Sequence, residues 1–146
     1  MKTPASLLLL LALASTDASA CSCVARTLDD FIANSDSIHV AHLQQAKLVK
    51  GGSGREWPSV EASFEVRNTL KGKARTRKLT LKTGMGGGDC GIPMTVAETY
   101  ILFLEKGQTE IGICDGSGPM YGLEEDEVSA KVKAAMAKRP ASSRKQ

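Results

Sequence analysis

Aromatic residues are scarce in this chain, with one Trp, two Tyr and three Phe among 146 residues. Proteins that hold single-stranded nucleic acid stack bases on such rings, so that class has little to build on here. A strong charge of one sign is missing too. Nineteen Lys and Arg against sixteen Asp and Glu give a formal charge of +3, too mild for an electrostatic grip on nucleic acid. Histidine is limited to two residues. His39 and His42 are three apart on an expected strand, point to opposite faces and make a poor metal pair. No intrinsic metal site and no cofactor is expected. Long hydrophobic runs are absent: Leu7 to Ala14 is eight residues long, well short of the ~20 that cross a bilayer.

That short run has a context. Lys2 supplies a positive start, and Ala18-Ser19-Ala20 is a small-x-small cleavage site. Residues 1–20 therefore read as a secretory signal peptide cut after Ala20. Cleavage makes Cys21 the first residue of a secreted or periplasmic chain. Losing Lys2 and Asp17 leaves the formal charge of +3 unchanged. The remaining residues suffice for one compact domain with a modest core.

All four cysteines, Cys21, Cys23, Cys90 and Cys114, lie in the exported part. An even number in a small secreted domain reads as two disulfides. A Cys21–Cys23 bond would close a strained ring across one residue, which favours pairing each with a distant partner. Either crossed arrangement closes loops of roughly 70 to 90 residues, worth about 4 kcal/mol each in the chain-entropy account.

The mature sequence reads as mainly β. A short irregular or helical lead-in, residues 24–36, is anchored by Phe31 and Ile32. A strand follows from Ser37 to Lys47, and its alternation slips near His42-Leu43, predicting a bulge. Val60, Ala62, Phe64 and Val66 alternate with Glu61, Ser63, Glu65 and Arg67, the clearest strand in the chain. Leu70 to Lys73 makes a turn, and Leu79 to Lys82 a short third strand. Tyr100 to Leu104 and Ile111 to Cys114 read as a hairpin around Lys106-Gly107-Gln108. Leu123 to Lys138 is acidic at its start and basic at its end, with Val128, Val132 and Ala135 on one face and Pro140 as its stop. It reads as an amphipathic helix. The expectation is a five-stranded OB-fold barrel with a C-terminal helix over residues 21–139, then a disordered tail, residues 140–146.

Cys21-Ser22-Cys23-Val24, Phe31 and Asn34-Ser35-Asp36 before the first strand resemble the start of the tissue inhibitors of metalloproteinases. Leu70-Lys71-Gly72, Cys90-Gly91, Tyr100 to Phe103 and Cys114 continue the pattern of the netrin-like domain, through about residue 118. The resemblance implies the pairing Cys21–Cys90 and Cys23–Cys114. It also implies inhibition of a zinc metalloprotease, with the α-amine and carbonyl oxygen of Cys21 chelating the protease zinc at its open position. An α-amine titrates near neutral pH, so the donating form is accessible. Ser22 would enter the pocket beside the zinc, where the family carries Thr or Ser. Cys23, Val24 and the Asp89-Cys90-Gly91 loop would complete the contact. The family's third disulfide in this domain has no counterpart, since Ile32 or Ala33 stands at the early position. Ala41 replaces a glycine common in bacterial relatives. The resemblance is to a minimal, bacterial-type member, expected to be monomeric.

Competing readings are distinct in their chemistry. The same scaffold serves as a non-inhibitory envelope or extracellular binding module when the cysteines act only as staples. Ala18-Ser19-Ala20-Cys21 partly matches a lipobox, with Ala where Leu is usual. Lipidation would acylate the amine and tie the chain to a membrane that it otherwise has no means to hold. Lys71, Lys73, Arg75, Arg77 and Lys78 form a basic stretch, read as a solvated edge ahead of a site for acidic polymers. Gly86-Gly87-Gly88 lacks the following Lys and helix of a phosphate loop. An enzyme is not expected: a cysteine nucleophile would have to stay reduced in an oxidising compartment, and no Cys–His context supports it.

Overall fold

The computed structural model describes residues 21–50, 57–73 and 77–138. The expected signal peptide, the tail and Arg75 lie outside these residues. The described chain is mainly β, with one five-stranded antiparallel sheet and two α-helices.

Helix α1, Leu28–Asn34, opens on a capping box written as Thr27 and Asp30. The Thr27 hydroxyl accepts from the Asp30 N–H at 3.2 Å, and the Asp30 carboxylate accepts from the Thr27 N–H at 2.8 Å. Two orphan donors of the first turn are thus satisfied reciprocally. At its other end the Lys71 ammonium donates to the carbonyls of Ile32 and Ser35, a cation on the negative end of the helix.

Strands β1, Ser37–Val49, and β2, Ser59–Lys71, pair along their whole length. The register shifts three times, between Ile38 and His39, Val40 and Ala41, and Leu43 and Gln45. The last lies where the alternation slips in sequence, and such bulges bend and coil a strand pair. β3, Lys78–Thr83, β4, Thr99–Leu104, and the two-residue β5, Gly118–Pro119, complete the order β3-β2-β1-β4-β5. Helix α2, Glu125–Lys138, follows.

The expected hairpin of β4 with Ile111 to Cys114 does not form. β4 pairs instead with β5, Tyr100 opposite Pro119 and Ile101 opposite Gly118. The Ser117 hydroxyl takes up both backbone groups of Phe103, accepting from its N–H at 3.0 Å and donating to its carbonyl at 3.2 Å. The preceding segment crosses to β3, where Lys82 N–H donates to Thr109 O and Ile111 N–H to Lys82 O, both at 2.8 Å. That contact is an isolated parallel bridge, Lys82 with Glu110. The sheet is not closed into a barrel.

Alternation along β4 divides the core. Tyr100, Leu102 and Leu104 join Leu43, Ala62, Phe64, Leu81, Ile92 and Ile111 in a cluster on one face of the sheet. Phe103, with Ile101, turns to the other face and packs with Ile32, Ile38 and Val132 beneath the helices. Val132 is buried in α2, with Val128 and Ala135 half-buried, as the helical spacing predicts. The Ser129 hydroxyl is buried there without a hydrogen-bond partner. Ser129→Ala therefore raises stability by about 1 kcal/mol, read from the urea midpoint, because it removes an unpaired polar group and improves helix propensity.

Candidate functional site

Residues 21–27 precede α1 without regular structure. They are held by two disulfides, Cys21–Cys90 with Cα atoms 5.5 Å apart and Cys23–Cys114 with 5.2 Å. This is the pairing that the family resemblance implies, and no cysteine is free. Two disulfides fit an extracellular or otherwise oxidising compartment. No helix among the described residues is long and apolar enough to cross a membrane.

The C-x-C segment lies against two loops. In the first, residues 84–91, the Asp89 carboxylate accepts from the N–H groups of Met85, Gly86 and Gly91, the latter two at 2.9 and 3.2 Å. Those bonds, that from Met85 foremost, hold the Asp89 carboxyl below its ordinary range. Their contribution is complete above the ordinary aspartate pKa and is lost as pH falls through the lowered one. Cys90 follows in the left-handed region at φ +60°, uncommon for a side chain of its kind. Gly91 has no room for a side chain, since a Cβ would lie 2.3 Å from the Gly84 carbonyl oxygen.

The second loop, residues 112–117, carries Cys114. Ile113 N–H donates to Cys90 O at 3.0 Å, joining the two loops directly. Cys21, Cys90 and Cys114 are partly buried, whereas Ser22, Cys23 and Val24 are exposed. Val24 is 82% exposed, Met85 50% and Ile113 46%, so an apolar side chain stands free beside each part of the disulfide cluster. Val24 is among the residues expected at the site. Met85 and Ile113 are not, because one sits in a glycine-rich loop and the other reads as part of a strand.

The expected residues Cys21, Ser22, Cys23, Val24, Asp89, Cys90, Gly91 and Cys114 are brought together by the two disulfides and the loop contact. Their accessibility differs: Gly91 is buried, and the Asp89 carboxylate faces its own loop. The basic stretch is broken up, since Lys71 points to the end of α1 while Lys73, Arg77 and Lys78 are exposed. No group of three or more His, Cys, Asp or Glu placed to hold a metal occurs among the described residues.

His39 is buried on β1, its Nδ1 3.0 Å from the Thr69 hydroxyl. Burial lowers its pKa, because desolvation disfavours the imidazolium. An unfolded chain then binds more protons than the folded one below about pH 6.5. Stability is complete above that pH and falls as pH drops toward the lowered folded value. Melting temperatures between pH 8 and 5 should show this decline in the wild type and a smaller one in His39→Gln.

Compared with protein-family models and with curated proteins, the chain matches none.

Proposed function

We propose that the chain is a secreted or periplasmic netrin-like domain that inhibits a zinc metalloprotease through the mature N-terminus at Cys21. Its amine and carbonyl oxygen form an N,O chelate on the protease zinc, replacing water at the open position. The observation that carries this reading is that both cysteines of C-x-C are tied down, which leaves Ser22 and Val24 exposed on a fixed ridge. Tethering at two points lowers the ordering cost of binding.

The surroundings support the same reading. Val24, Met85 and Ile113 offer exposed apolar surface around the cystines, the kind of surface that forms the desolvated centre of an interface. Ser22 is small enough to enter a pocket beside the zinc. The OB-type reading draws on the coiled β1–β2 pair and on the parallel bridge between Lys82 and Glu110, which joins edge strand β3 to the segment that follows β4.

Processing decides the chemistry, because only a free α-amine donates to zinc. Intact mass and N-terminal sequencing of the exported protein test it. The expected product begins at Cys21 with an unmodified amine and weighs four hydrogen atoms less than the reduced chain. A diacylglyceryl-cysteine would instead support a lipid-anchored binding module, and cleavage elsewhere would remove the chelating group altogether.

A further inference from the structure

An aspartate stands beside each of the two later cysteines, Asp89 before Cys90 and Asp115 after Cys114. Both carboxylates turn back onto their own loops. Asp89 accepts from Met85, Gly86 and Gly91 N–H. Asp115 accepts from Gly112 N–H at one oxygen and from Ser117 N–H at the other, both at 2.8 Å, and from the Gln108 amide at 3.3 Å. Neither loop has a strand ladder to shape it; one short 3-10 turn, Gly87–Asp89, is the regular structure between Gly84 and Gly91.

The C-x-C segment faces a choice that composition does not settle. Cys21 and Cys23 are separated by one residue, so exchanging their partners keeps two disulfides and nearly the same loop lengths. The choice must come from where Cys90 and Cys114 are held. The two loops meet where Ile113 N–H donates to Cys90 O and a Cβ on Gly112 would lie 2.8 Å from that oxygen. With the loops in contact, the shape of each determines which cysteine lies ahead in the path of residues 21–23.

We propose that Asp89 and Asp115 are positioning residues, each shaping the loop that presents one cysteine, and that together they fix the order in which the C-x-C pair is bonded. Hydrogen bonds to a carboxylate are stronger than those to a neutral acceptor, so one side chain can organise three backbone groups. The assignment goes beyond the zinc-binding reading and does not require it.

The test uses the oxidised, full mature chain and the near-isosteric variants Asp89→Asn and Asp115→Asn, with Asp126→Asn on α2 as control. Limited exposure to dithiothreitol, alkylation and peptide mapping show which bond opens first. Asp89→Asn should open Cys21–Cys90 roughly tenfold faster than wild type and leave Cys23–Cys114 unchanged. Asp115→Asn should do the reverse. A tenfold change is about what losing one hydrogen bond to a charged group produces. Refolding each variant from the reduced state should raise the share of Cys21–Cys114 with Cys23–Cys90.

Acceleration of both bonds alike, or of neither, would overturn the assignment. Amide exchange on the wild type needs no variant: Met85, Gly86, Gly91, Gly112 and Ser117 should be protected, and exchange as fast as at Val24 would overturn it as well. A crossed pattern in a protein that inhibits no zinc protease would uphold this assignment and sink the zinc reading.

Discussion

Replacing Cys23 and Cys114 together by serine should lower the unfolding free energy by about 4–5 kcal/mol. The bond spans 91 positions of sequence and thus encloses four of the five strands, β1 to β4. Opening it returns to the unfolded chain the freedom of a loop of that length. A domain of this size is stable by only about 5–15 kcal/mol, so the variant should lose about a third or more of its stability. Urea unfolding monitored by circular dichroism reads the change. A loss below about 1 kcal/mol would mean that the reduced chain retains the same constraint by other contacts. The native side has little to compensate with, because the bond joins an N-terminal segment and a loop that lie outside the strands.

Phe64→Ala should cost about 3–5 kcal/mol and lower the melting temperature by about 10–20 °C. Phe64 is 1% exposed and lies on β2 at the centre of the sheet's inner cluster. Its ring meets Tyr100 edge-on with centroids 5.3 Å apart, a geometry that adds to simple burial. Tyr100 is itself fixed, donating to Pro93 O and accepting from Thr95 N–H, both at 2.8 Å. A partner so restrained cannot move to fill the space, which puts the cost toward the upper part of the range. Phe64→Leu, which retains most of the volume, should recover more than half of the loss. Equal melting temperatures for the two variants would contradict a tightly packed site here.

The clean alternation of β2 and the apolar face of α2 were legible in the sequence because each is a local, periodic signal. Val60 to Val66 and Val128 to Ala135 needed no knowledge of their partners. The partner of β4 was not legible. Ile111 to Cys114 has the composition of a strand, yet Ser117 binds the backbone of Phe103 and Gly118–Pro119 takes the ladder position. Such an exchange depends on one hydroxyl acting across fourteen positions, which no window of composition registers. Lys71 was hidden in the same way: it counts as one more basic residue until it is found on the carbonyls at the end of α1.

At the candidate site, the cysteines and their neighbours stand out because C-x-C at an expected cleavage point is rare. Met85 and Ile113 do not, since one lies in a glycine-rich loop and the other has the composition of a strand. Their exposure follows from the loops around them, tied by Asp89 and Asp115 and joined at Cys90 O.

The most direct test of the zinc-binding reading compares inhibition of a zinc metalloprotease by the chain starting at a free Cys21 with inhibition by the same chain carrying one added alanine ahead of it. The addition turns the donor amine into an amide and leaves both disulfides in place. Inhibition should weaken by at least about a hundredfold, as expected when a metal-binding group is lost or displaced by an ångström or more. Melting temperature and disulfide map should not change. Equal inhibition by the two forms would contradict the role given to Cys21.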